Sequence, residues 1–201
     1  MSRLLEPLAR LIARSGVPPS AITLSGPLLT SLVCLWFLRT KAVVPFCLAM
    51  VLVGSLDVLD GAVARASRRV TRFGAYLDAI CDRYVDAVVV LAAAAVSGYW
   101  ALSLVLVVGT LLVSYAKARA AMEVAISNQE WPDLMERLER SVLFLGGLAA
   151  SALVPWQPLE RDLFWWTLLL LAVLTHLTVF QRVRRAKRLI TEREGRKRST
   201  A

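Results

Sequence analysis

The stretch Asp57-Val58-Leu59-Asp60-Gly61-Ala62-Val63-Ala64-Arg65, taken up again after a basic loop by Gly74-Ala75-Tyr76-Leu77-Asp78-Ala79-Ile80-Cys81-Asp82, places four carboxylates at the ends of two apolar helical runs. A carboxylate near hydrocarbon costs roughly 2.5 to 3.5 kcal/mol even on the more lenient insertion scale, so four together call for a compensating partner such as a divalent cation. Asp57 and Asp60 are three apart and Asp78 and Asp82 four apart, so each pair shares a helix face and the two faces can converge. Hard oxygen donors suit Mg²⁺ or Mn²⁺. Zinc would call for His or Cys, and the single histidine, His176, lies deep in the last apolar run, where it reads as a packed or hydrogen-bonded core residue.

The rest of the chain reads as a polytopic membrane protein. Of its 201 residues 57% are hydrophobic, mean hydropathy is +0.60, and several apolar runs approach bilayer-spanning length. The segments 87–96 and 102–113 are apolar on every side, which excludes the amphipathic helices of a soluble domain of this size. Spans are expected at about 21–38, 42–64, 74–98, 101–122, 134–153 and 163–190. Before them, Leu4, Leu5, Leu8, Leu11 and Ile12 fall at helical spacing opposite Arg3, Glu6, Arg10 and Arg14, the pattern of an interfacial amphipathic helix. The expected fold is therefore all-α, with six transmembrane helices and an N-terminal interfacial helix. Residues 1–190 form one membrane domain, and 191–201 form a basic tail expected to be disordered.

The formal net charge of +9 is unevenly spread, with nine Lys or Arg between Arg182 and Arg198 and four between Arg65 and Arg72. Basic residues favour the cytoplasmic side, which puts both termini, the Arg65–Arg72 loop and the carboxylates inside, in a multi-pass protein of the cell membrane. The cations after the last span suit anionic lipid headgroups better than nucleic acid. Cys34, Cys47 and Cys81 match no metal knuckle or disulfide framework and are expected as small core residues.

Gly61, Ala64 and Gly74 leave room for a ligand to approach the backbone, and Arg65 supplies a cation beside them. Metal, small residues and guanidinium together describe a diphosphate site, with a carboxylate placed to receive a proton from an attacking hydroxyl; the reaction class is phosphoryl transfer. The structural alternative is that the aspartates form ion pairs with Arg65, Arg68, Arg72 and Arg83.

The pattern Asp57, two residues, Asp60-Gly61, two residues, Ala64-Arg65, eight residues, Gly74, three residues, Asp78, three residues, Asp82 resembles the signature of the CDP-alcohol phosphatidyltransferase family at all eight positions and in every gap. That resemblance implies an amino-terminal interfacial helix, six membrane helices and a homodimer. It also implies two divalent ions held by Asp57, Asp60, Asp78 and Asp82, Asp82 as general base, and Gly61, Ala64, Arg65 and Gly74 around the cytidine diphosphate of a CDP-linked lipid, with CMP as leaving group. Asp86, a turn beyond Asp82, lies outside the signature, and a supporting role is expected for it. One departure is Pro19-Ser20-Ala21-Ile22-Thr23, where members often carry Pro-Asn; Ser20 is expected to cap the first span all the same.

The signature leaves the acceptor alcohol open. Lys117, Arg119, Arg137, Arg140 and Arg182 stand at the ends of three other runs, on the side expected for the aspartates. Arginine forks match phosphate oxygens, so an acceptor that itself carries phosphate is expected; topogenic charge is the competing reading. The segments Ser114–Ala120, Glu139-Arg140 and Gln181-Arg182 resemble the corresponding places in phosphatidylinositol-phosphate synthases. By that resemblance Lys117, Arg140 and Arg182 bind the phosphate of inositol 1-phosphate, with glycerol 3-phosphate as the nearest rival. A divalent-cation transporter would spread its acids through the bilayer depth instead, and a prenyl-chain transferase would not need the Gly61, Ala64, Arg65 and Gly74 pattern.

Overall fold

A computed structural model describes the backbone of residues 19–66, 71–124, 135 and 137–199, and the side chains of these except 19–22, 56–66, 194 and 196–199. Six α-helices follow one another among the described residues: α1 Pro19–Thr40, α2 Val43–Ala66, α3 Arg72–Ser97, α4 Trp100–Glu123, α5 Arg137–Leu153 and α6 Leu163–Ser199. No strand occurs among them. The expected amphipathic helix at 2–14 and the polar connection at 127–133 lie outside the described residues. The chain groups into two compact units, Met1–Gly98 and Tyr99–Ala201, and in each of them one helix packs on the other two.

In the first unit α1 is the central helix. It buries Thr30, Cys34 and Phe37 at helical spacing and packs on α2, which buries Phe46, Cys47 and Met50, and on α3, which buries the small run Ala92, Ala93 and Ala94. Phe37 stacks on Phe46 with ring centroids 4.0 Å apart. Among the described residues α2 and α3 pack on α1 rather than on each other. Pro19 is the first helical residue of α1, so Ser20 lies inside the helix and is not its cap; proline suits this position because its missing N–H would have no intrahelical partner. The three cysteines are buried and in no disulfide, as expected.

The second unit is organised around α6. Its buried residues Phe164, Leu168, Leu171, Thr175, Thr178 and Arg182 alternate steps of four and three, and Ser103, Leu106, Thr110, Val113 and Ala120 keep the same seam on α4. This 3.5-residue period is that of helices packed at a shallow angle. The close approach depends on two glycines. A Cβ on Gly109 would stand 2.8 Å from the His176 ring and 3.0 Å from Thr175, and one on Gly147 of α5 would stand 2.2 Å from Thr167 Oγ1. Thr110 and Thr178 donate to the Leu106 and Leu174 carbonyls at 2.8 Å, so their hydroxyls are satisfied inside an apolar seam. His176 is half-buried with Nδ1 2.9 Å from the Ala172 carbonyl, the packed, hydrogen-bonded role expected of it.

Among the described residues α4 and the Leu163–Arg193 part of α6 are long and apolar enough to cross a membrane, and Val43–Ser55 of α2 is a shorter apolar stretch. α3 carries Arg72, Asp78, Asp82, Arg83 and Asp86 within its 26 residues, which dilutes its apolar character. The outer faces are apolar as well: Leu28, Leu48 and Leu52 are each more than 60% exposed, a surface suited to hydrocarbon. α6 continues to Ser199, so residues 191–199 are helical where the sequence reading expects disorder. Good helix formers fill the segment, and Arg188 pairs with Glu192 one turn on at 3.5 Å.

Candidate active site

The carboxylates lie on the two helices flanking the connection 67–71. Asp60 is six residues before the end of α2 and Asp78 six residues after the start of α3, about 9 Å along each axis at 1.5 Å per residue. Asp57 and Asp82 lie roughly one turn deeper, so the two pairs stand at equal depth from the connection. Asp57, Asp60, Gly61, Ala64 and Arg65 occupy helical backbone positions of α2, and their side chains lie outside the described residues. On α3 the structure describes Asp78 as exposed and Asp82 as half-buried, one turn apart on one face. Asp86 continues that face inward.

The start of α3 is held by a cap that the sequence reading missed. Thr71 has extended backbone, and its Oγ1 accepts from the Gly74 N–H at 2.9 Å, which fixes the first turn immediately beside the carboxylate face. A Cβ on Gly74 would stand 3.1 Å from the same hydroxyl oxygen, so the glycine leaves room for the cap. Because its N–H is already engaged, Gly74 can serve a ligand through its missing side chain rather than as a donor. A threonine three residues before that glycine was the signal in the sequence.

The fit of a divalent ion can be judged from the donors. Asp78 and Asp82 offer only carboxylate oxygens, the ligand type that Mg²⁺ and Mn²⁺ take. No group of three or more potential ligands occurs among the described side chains, and those of Asp57 and Asp60 lie outside them. Arg83 reaches back to Asp82, Nη2 to Oδ2 3.5 Å, one of the ion pairs that the structural alternative expects.

The second unit gathers the other expected residues at one of its ends. Gly109 meets Thr175 and His176, and Val113 meets Arg182, so numbers rise together and α4 and α6 run parallel. Gly147 of α5 meets Thr167, while Leu143, nearer the start of α5, shares a groove with Leu174, further along α6, so α5 runs antiparallel. The C-terminal parts of α4 and α6 and the first turn of α5 therefore share an end, where Lys117, Arg182 and Arg140 stand. Arg182 is buried and donates through Nη1 to the Val113 carbonyl, one turn before Lys117. Arg140 is buried and donates to the Met135 carbonyl at 3.0 Å. Arg119 pairs with Glu123 at 2.7 Å on the exposed side of α4, which sets it apart from those buried cations.

A family profile described as CDP-alcohol phosphatidyltransferase matches residues 17–178, more than three quarters of the chain. The chain belongs to that family. Among similar members of the CDP-alcohol phosphatidyltransferase family, an archaetidylinositol phosphate synthase of Pyrococcus horikoshii is 32% identical over 189 residues, covering 92% of this chain and 91% of its own. A phosphatidylinositol phosphate synthase of Mycobacteroides abscessus is 34% identical over 191 residues, covering 90% and 83%. The crystal structure of the Mycobacterium tuberculosis phosphatidylinositol phosphate synthase with CDP-DAG bound is similar at a TM-score of 0.80 and 30% identity, covering 92% of this chain and 94% of that one. The same enzyme in complex with manganese and citrate gives 0.79 and 29%, covering 90% and 88%. This chain is thus a phosphatidyltransferase of the CDP-alcohol class.

Proposed function

We propose that this protein transfers a phosphatidyl or archaetidyl group from a CDP-linked lipid to inositol 1-phosphate, releasing CMP. The observation that carries the acceptor is the gathering of Lys117, Arg140 and Arg182 at one end of the second unit, two of them buried guanidinium groups. Guanidinium forks match phosphate oxygens in geometry and charge, which suits an acceptor that itself carries phosphate. The similarity to inositol-phosphate-using synthases supports the same reading.

Asp57, Asp60, Asp78 and Asp82 would hold two divalent ions, Mg²⁺ or Mn²⁺, whose charge offsets that of the diphosphate when bound. Asp82 takes the proton of the acceptor hydroxyl; that oxygen forms a bond to the lipid-bearing phosphorus, and the bond from that phosphorus to CMP breaks. Gly61, Ala64 and Gly74 keep the cytidine diphosphate path clear of side chains, and Arg65 pairs with its phosphate oxygens. The protein spans the cell membrane six times with this chemistry on the cytoplasmic side, and works as a homodimer among membrane lipids. Purified protein given CDP-lipid, Mg²⁺ and labelled inositol 1-phosphate, glycerol 3-phosphate, serine or free inositol is expected to incorporate inositol 1-phosphate. Incorporation of serine or free inositol alone would overturn the phosphate-binding role. Asp82→Asn is expected to abolish CMP release and keep CDP-lipid binding.

A further inference from the structure

Asp82 carries a cation that the family signature does not include. Arg83 Nη2 stands 3.5 Å from Asp82 Oδ2, although neighbouring residues on a helix point about 100° apart and do not face each other. The long guanidinium arm has to bend round the helix to make the contact. Both side chains are partly withdrawn from water, Arg83 to 27% exposure and Asp82 to 16%, so their attraction is less screened than at a free surface. A divalent ion ligated by Asp82 would need the same carboxylate and would be repelled by a guanidinium at that distance. Arg83 and the ion thus oppose each other electrostatically at one carboxylate.

We propose that Arg83 is a positioning residue that orients Asp82 and, by its charge, opposes the divalent ion there, so that it sets the affinity for metal. The proposal rests on the reading of Asp82 as a metal ligand. The contact holds the Asp82 carboxylate in place, and a divalent ion there binds against the charge of Arg83. An anionic diphosphate would then favour metal binding twice, by adding oxygen donors and by giving the displaced guanidinium a new partner.

The test is Mn²⁺ binding followed by electron paramagnetic resonance on the full-length protein in micelles, with thermal unfolding in chelator alongside. Arg83→Gln is expected to unfold at lower temperature in chelator yet bind Mn²⁺ about tenfold more tightly, while Arg83→Lys, which keeps the charge, stays near the parent affinity. A residue that merely supports the fold would lower the unfolding temperature without tightening metal. Arg83→Met serves as a second neutral variant should the glutamine protein not fold. Equal or weaker Mn²⁺ binding by the neutral variants overturns that opposition. Asp82→Asn separates the two claims: if it loses Mn²⁺ affinity while the neutral Arg83 variants fail to gain any, the ligand assignment stands and the role of Arg83 falls. If Asp82→Asn binds Mn²⁺ like the parent, both fall.

Discussion

Two adjacent glycines on α5 allow the packing of the second unit to be tested with one methyl group. A Cβ added at Gly147 would lie 2.2, 2.4 and 2.6 Å from Oγ1, Cγ2 and Cβ of Thr167, whereas one at Gly146 would meet nothing within 4 Å. Rotation of Thr167 cannot relieve the clash, because its Cβ is itself too close and its hydroxyl is tied to the Leu163 carbonyl at 2.8 Å. The helices must separate by about 1 Å, and overpacking of this kind costs about 1 to 3 kcal/mol. Replacing a helical glycine with alanine stabilises by up to about 1 kcal/mol, so Gly146→Ala is expected to melt at or above the parent. Gly147→Ala is expected to melt a few degrees below it. Thermal unfolding in detergent measures both. Thr167→Ala placed on Gly147→Ala should recover part of the loss, since it removes two of the three close atoms. Steady-state kinetics should show a raised KM for the acceptor in Gly147→Ala, because Arg140 lies two turns away on the same displaced helix. Equal melting of the two alanine variants would refute the close approach of α5 and α6.

Thr71→Ala should lose the hydrogen bond to the Gly74 N–H and about 1 kcal/mol of stability, read as a lower unfolding temperature; no change would remove the cap from the account of α3. Tyr99 stands in the turn before α4, where burial, and then its hydrogen bond to Asp162, push the phenol above its ordinary value. A raised folded value means stability that is complete below the ordinary phenol value of about 10 and is lost as pH climbs through the folded one. The gap in unfolding temperature between the parent and Tyr99→Phe should accordingly be steady at neutral pH and close at alkaline pH, and a gap that widens there would contradict the assignment. Arg182→Lys keeps a charge but loses the fork that reaches the Val113 carbonyl, so the acceptor KM should rise about tenfold with donor KM little changed, as initial rates would report.

Helix order and the family were legible along the chain, because both are written in local terms. Apolar runs and turn residues located all six described helices, within a few residues at nearly every end. Eight residues at set gaps carry the resemblance to the CDP-alcohol phosphatidyltransferases, which implies the CDP-linked donor. The errors fell at helix ends. The value of Thr71 as a cap depends on where the Gly74 N–H points, and Ser20, expected as a cap, follows Pro19, which already opens the helix. The basic tail from Thr191 continues α6 to Ser199, with Arg188 paired to Glu192 one turn on.

By itself the sequence determined what spacing can encode: carboxylates on shared helix faces, small residues beside them, and cations at the ends of apolar runs. Only the tertiary structure decided which of those cations are buried and which are solvated. Arg140 and Arg182 turn inward to carbonyls, whereas Arg119 pairs with Glu123 on an open face. It also decided that Gly109 and Gly147 are contact points while Gly146 is not, and that Arg83 curls back onto Asp82. The physical reason is common to all of these: helical periodicity fixes the direction of a side chain about its own axis, but what it meets depends on how a second helix packs or how a long arm bends, and neither is a function of local sequence.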